Sequence, residues 1–285
     1  VLLALFVIPY ISSLMLPGYS IEIIHSNLPE KLVLFSLFFP NLLLVLYGGI
    51  PYASHTWSIG TEEQFYLLWP VLMKYIKQNK KTLMIMVVFV YLGIKFFLIS
   101  SLSVNIVPNR TIILNYWHSF PVDCMAIGGL FSIALFEKQK VLAFILRKDL
   151  TLLVTILVSA LLFQGVEVPY LHYEFYAVLF GILILNLSSN PSFKHTLEHK
   201  GFQYLGTISY GLYMYHPIAI VMSLVLLKKL NLSTNNLALY SISVLTTVVL
   251  AGLSYKYLES FFLRFKPKFS KIISGKEALT DNKNL

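Results

Sequence analysis

The residues of this sequence best placed to do chemistry are the ionisable side chains set inside apolar runs. A charge in a membrane segment costs roughly 2.5 to 3.5 kcal/mol, so each one is a functional candidate. They are Glu62 and Glu63, Lys95, Asp123, His216 and Glu259. The two glutamates are adjacent and point about 100° apart on a helix, so one can face an interior site and the other cannot. In TWSIGTEEQFYLLWP, Gly60 or Thr61 would start a helix whose first turn carries both acids, the ordinary structural use of such a pair. Trp57, Ser58, Gln64, Tyr66 and Trp69 gather more hydrogen-bonding groups there than a cap needs.

His216 lies in LGTISYGLYMYHPIAI, where Ser209, Tyr213 and His216 fall on one helical face. Such a stripe can orient a substrate, serve acid/base chemistry through the side chain that titrates nearest neutrality, or bond across helices. Pro217 bends that helix and frees a carbonyl. Asp123, ahead of Ile127-Gly128-Gly129, is open to two readings, a neutralised pair with Lys95 or a contact to substrate. Glu259, beside Lys256 and Arg264, is expected in a surface ion pair of small worth.

The elements that must position these groups are membrane helices. The 285 residues are 57% hydrophobic and 12% charged, with a mean hydropathy of +0.73. A soluble domain carries about 25% charged residues, so an ordinary cytosolic enzyme is excluded. Apolar runs at 1–16, 31–48, 62–77, 82–103, 119–136, 150–166, 174–188, 206–227 and 237–258 predict an all-α, polytopic transmembrane bundle. We expect about eight spans and one broken or re-entrant segment, since 31–48 is centred on Phe39-Pro40-Asn41 and proline removes a backbone donor. Cys124 is the single cysteine, so no internal disulfide forms, and no Cys/His metal spacing, P-loop, dinucleotide turn or nucleophile elbow is present.

The net charge of +9 would suit nucleic acid, but its distribution does not. From residue 62 onward the connections alternate. Lys74 to Lys81, Lys138 to Lys148, Lys194 with Lys200, and the tail from Lys256 fall on one side, against Arg110, Lys228 and Lys229 on the other. The basic side, with the C-terminus, is then cytoplasmic, which places 49–61 on the outer side and removes the nucleic-acid reading. The chain opens in an apolar run without Met and without a basic leader, which reads as the middle of a protein. We expect a membrane domain over 1–260 and a basic, partly disordered tail over 261–285.

Four blocks, HTWSIGTEEQFYLLWP at 55–70, DCMAIGGLFSIAL at 123–135, LGTISYGLYMYHPI at 205–218 and YKYLESFF at 255–262, resemble in order and spacing the acyltransferase family 3 of membrane-bound O-acyltransferases. The resemblance implies a multi-pass protein of the plasma (inner) membrane. It would transfer an acyl group, usually acetyl, from a cytoplasmic acyl-CoA to a hydroxyl of a cell-surface polysaccharide or glycolipid. Acyl-CoA is then a donor substrate, with no cofactor or metal bound, and the partners are membrane lipid and the glycan acceptor. Matched residue by residue, Trp57, Ser58, Glu62, Phe65 and Tyr66 fall on the family's tryptophan-serine-glutamate block, and Ser209, Tyr210, Tyr213 and His216 on its late block.

The resemblance thus implies catalytic roles for Glu62, a carboxylate that burial would hold protonated more readily, and for His216. It implies substrate contacts for Trp57, Ser58, Tyr66, Asp123, Ser209, Tyr210 and Tyr213. Two departures stand out. The family's first-span arginine and histidine are absent, so the chain is expected to start at the family's third span and to be inactive alone, and Pro121 stands where many relatives have arginine. A lipid-linked glycan transporter or flippase, suggested by Lys95, Asp123 and the polar stripe, and a non-catalytic membrane subunit are the alternatives.

Overall fold

A computed structural model describes residues 2–11, 18–76, 79–193, 196–231 and 235–265. Among the described residues there are helices and no strands, so the protein is all-α. Helices fall in the later apolar runs, at Trp57–Tyr75, Lys80–Ile99, Val122–Phe136, Lys148–Phe163, His172–Ser189, Ser209–Lys229 and Asn236–Ser254. Lys80–Ile99, Arg110–Phe136, Ser209–Lys229 and Asn236–Leu263 are long and apolar enough to cross a membrane. Their outward faces are apolar, with Phe89 70%, Leu237 78% and Val244 64% exposed, as lipid-facing side chains require. The expected tail beyond Phe265 lies outside the described residues, as do Lys77, Lys194 and the last part of the first apolar run.

The chain divides into two compact units, one up to His199 and one from Lys200. In the first unit the opening apolar run is not the continuous helix expected over 1–16. Helix Leu2–Phe6 gives way to a 3-10 turn, Ile8–Tyr10. Pro9 has no N–H to give to Leu5 O four residues back, and His25 Nε2 bonds that carbonyl instead at 2.8 Å. Ala4 and Leu5 then pack with Ile24, Leu43, Ile50 and Ala53 into a small core.

The segment 31–48 is broken, as its proline predicts. Helix Leu28–Ser36 ends, Phe38 takes a left-handed φ of 62°, and helix Pro40–Tyr47 begins. The freed polar groups are met from within the protein. Gln64 Nε2 donates to Phe38 O at 2.7 Å and to Asn41 Oδ1 at 2.9 Å, and Asn41 Nδ2 donates back to Gln64 Oε1 at 3.2 Å. Non-helical backbone at membrane depth needs this satisfaction.

Gly60 lets the two segments meet: a Cβ there would lie 2.5 Å from Pro40 Cδ and 3.2 Å from Phe38 O. Neither a proline ring nor a backbone oxygen yields cheaply. Gly60→Ala is therefore expected to destabilise the protein by about 1–3 kcal/mol, read as a lowered unfolding midpoint in micelles. An unchanged midpoint would show that the break is loosely packed.

The remaining helices of this unit pack on small residues. Gly129 of Val122–Phe136 abuts Met84 of Lys80–Ile99, and Gly181 of His172–Ser189 abuts the ring of Phe131, each leaving no room for a Cβ. Arg110, expected as an outer-loop charge, closes a helix end. Its Nε donates to Leu98 O at 2.7 Å and its Nη2 to Ile99 O at 2.9 Å, satisfying carbonyls at the end of Lys80–Ile99.

The second unit is a helical hairpin preceded by a short helix. Lys200–Thr207 and Ser209–Lys229 meet at the fully buried Ile208, and Asn236–Ser254 returns alongside, capped by Asn235 Oδ1 accepting from Ala238 N at 2.8 Å. Gly211 lies against Ala251 of the return helix, with no spare room for a Cβ. The return helix runs into a π-turn, Tyr255–Glu259.

Candidate functional site

The face that Trp57–Tyr75 turns inward decides what its polar block can do. The helix starts at Trp57, not at Gly60 or Thr61, because the 3-10 turn Ser54–Thr56 leads directly into it. The acids are thereby carried into the second turn. Thr61 and Gln64 are buried, while Glu62 is exposed and Glu63 half-buried. The expected burial of Glu62 is thus overturned: its Oε1 accepts from Tyr66 hydroxyl on the same helix at 2.6 Å, and Tyr66 is itself 55% exposed. Ser58 Oγ donates to His55 O at 3.4 Å.

Trp57 opens onto a cleft of about 510 Å³ lined with Leu44, Val45, Asn115, His118, Ser119 and Tyr173. Its ring and that of Tyr173 stand 6.2 Å apart, tilted by 56°. The cleft wall is fixed from behind. Ser119 O accepts from Thr61 Oγ1 at 2.8 Å and from Asn41 Nδ2 at 3.4 Å, tying helix Arg110–His118 to the broken segment. Tyr91 and Trp117 stack at 5.1 Å and exchange hydroxyl and indole hydrogen bonds with each other's carbonyls.

Behind Tyr173 lies the buried charge. Lys95 Nζ donates to Glu174 Oε1 at 2.6 Å, both side chains almost fully enclosed. Lys95 is therefore partnered by Glu174, which removes the pair with Asp123 that was one of the two readings of that aspartate. Asp123 is 0% exposed, and among the described residues neither carboxylate oxygen has a hydrogen-bond partner. It does not line the cleft. Sequence reasoning missed Glu174, Tyr173, Asn115 and His118 because 104–118 and 167–174 read as outer connections. The three-residue spacing of Asn115 and His118, which puts both on one helical face, was the signal available.

In the second unit His216 borders an apolar cavity of about 570 Å³ with Leu212, Ile220, Tyr240, Ser243 and Thr247 among its walls. Pro217 has no N–H for Tyr213 O, and His216 Nδ1 donates to that carbonyl at 2.6 Å. A carbonyl can only accept, so Nδ1 carries a proton. Tyr213 and His216 share a face, with ring centres 5.8 Å apart, while Ser209 and Tyr210 are exposed. Glu259 does not form the expected ion pair with Lys256 or Arg264. Its Oε1 accepts from Ser254 Oγ at 3.2 Å, and Ser254 Oγ lies 3.1 Å from Tyr215 hydroxyl, because the π-turn swings the carboxylate back along the helix.

The chain is 22% identical over 222 residues to a protein named peptidoglycan O-acetyltransferase OatA from Listeria monocytogenes serovar 1/2a. The alignment takes in 73% of this chain and 34% of that protein, so the chain spans about a third of the length of the curated relative it matches. No solved structure matches it. The family described as an acyltransferase domain, acyltransferase family 3, matches residues 2–256 with their membrane-length helices, and the chain belongs to that family.

Proposed function

We propose that this chain is the membrane domain of an O-acyltransferase. It moves an acyl group, acetyl as in the name of the Listeria relative, from a cytoplasmic acyl-CoA to a hydroxyl of a cell-surface polysaccharide or glycolipid. The observation that carries the proposal is the family match over residues 2–256. The lysine-rich connections support a multi-pass arrangement in the plasma membrane with the C-terminus in the cytoplasm. The transporter reading loses one of its supports, since Lys95 is closed off by Glu174.

In the reaction the acceptor oxygen forms a bond to the thioester carbonyl carbon, the hydroxyl proton passes to a base, and the carbon–sulfur bond breaks to release CoA as its thiol. His216, at the edge of an apolar cavity with its Nδ1 held by Tyr213 O, suits the base or a proton relay. Tyr213 holds the imidazole through its carbonyl, and Ser209 and Tyr210 lie on the same helix for substrate contact. Glu62, exposed and paired with Tyr66, suits an orienting carboxylate beside Trp57 and Ser58.

Glu62→Gln in the full-length protein is expected to lower acyl transfer about 100-fold. Folding should be unchanged, because the carboxylate is exposed and its hydrogen bond stays within one helix. Transfer of labelled acetyl from acetyl-CoA in membrane vesicles measures the effect. Undiminished turnover would remove Glu62 from the mechanism.

A further inference from the structure

We propose that the cleft between Trp57 and Tyr173 is the acceptor subsite, seating one pyranose ring of a neutral glycan, with Asn115 and His118 reading its hydroxyls. The proposal rests on the acyltransferase reading for its purpose, and on the following geometry for its content.

The cleft has the size of a small-molecule site, where about 300–1,000 Å³ is usual. Its lining offers two kinds of surface at once. Trp57 and Tyr173 make a corner, their rings 6.2 Å apart and tilted by 56°, and Tyr173 is 39% exposed, so its ring is offered to whatever occupies the space. The negative face of an aromatic ring attracts the weakly positive C–H bonds that line one face of a pyranose. Opposite in chemistry are Asn115 and His118, one turn apart at the end of helix Arg110–His118. Among the described residues neither side chain hydrogen-bonds within the protein, although each can both donate and accept. A vicinal diol presents the same mixed donors and acceptors.

The lining also says what does not bind. Among the described residues no Lys, Arg, Asp or Glu borders the cleft, so they offer no counter-charge for the phosphates of acyl-CoA or for an anionic headgroup. Leu44 and Val45 supply the remaining apolar wall. The site is held before any ligand arrives: Ser119 O is anchored by Thr61 and Asn41, and the helix bearing Tyr173 is anchored one residue on by the Lys95–Glu174 pair. Rigid walls reduce the ordering a ligand must impose.

The test uses the full-length protein in lipid nanodiscs, acetyl-CoA as donor and the β-1,4-linked tetramer of N-acetylglucosamine as acceptor probe. Tyr173→Ala and Asn115→Ala are each expected to raise the acceptor KM by about tenfold, with kcat and the KM for acetyl-CoA near wild type; Tyr173→Phe, which keeps the ring, should stay within about twofold. Intrinsic fluorescence is followed in parallel without donor, since Trp57 forms one wall. The tetramer should give a saturable change in the wild type that Tyr173→Ala and Trp57→Phe lose. A wild type that neither binds nor uses the tetramer, an acceptor KM unmoved in both alanine variants, or a rise in the donor KM instead would each overturn the subsite. Binding that depends on Tyr173 without any acyl transfer would keep the subsite and sink the transferase reading. Transfer with unshifted acceptor KM would do the reverse.

Discussion

Replacing His216 by asparagine is expected to reduce acyl transfer by about 10²- to 10⁴-fold while leaving the protein folded. The asparagine amide can still donate to Tyr213 O, which Pro217 leaves without a helical donor, but it offers no basic nitrogen. Pro217→Ala separates positioning from chemistry. Alanine restores an N–H at position 217, the ordinary helical bond to Tyr213 O can form, and it competes with the imidazole for the carbonyl that holds it. Transfer should fall about tenfold, with the pH dependence of kcat shifted, because a positioned general base is weakened and not removed. Turnover of His216→Asn equal to wild type would take His216 out of the proton path. Equal pH profiles for Pro217→Ala and wild type would show that the freed carbonyl is incidental.

Lys95→Met should be the most damaging single change to stability, by about 3–5 kcal/mol, because it leaves the Glu174 carboxylate enclosed beside the equally enclosed Asp123 without a cation. The double variant Lys95→Met/Glu174→Leu removes both charges and should recover most of that loss, since an apolar pair can replace a buried ion pair at little net cost. Unfolding of the purified protein in mixed micelles, followed by circular dichroism, gives both values. A single variant as stable as the double would show that the ion pair contributes nothing to the fold. Because Glu174 follows Tyr173 in the chain, the single variant should also weaken the probe binding described above, while the double should restore it.

Much of this was legible in the chain because it is local. Apolar runs of membrane length can bury their backbone polar groups only as helices, so an all-α protein follows from composition and run length. The break in 31–48 follows from Pro40, and the carbonyl freed at Tyr213 follows from Pro217 by counting four residues back. Pairings between helices are different in kind. Lys95 and Glu174 are 79 residues apart, and Asp123 was an equally good partner on charge alone. Glu62, Glu63 and Gln64 are one polar run in sequence, yet Gln64 turns inward because the broken segment beside it exposes a carbonyl at Phe38 that needs a donor.

The sequence by itself determined the helices, the prolines that interrupt them and the chemical types gathered at 57–66 and 209–216, since these depend on neighbours within a turn or two. The tertiary structure alone decided which of those groups are exposed, that Glu62 is on a surface and Asp123 is sealed, and that Trp57 meets Tyr173 across a cleft. Those outcomes depend on how each helix is rotated about its axis. That rotation is set by small-residue contacts and long-range hydrogen bonds, not by local periodicity.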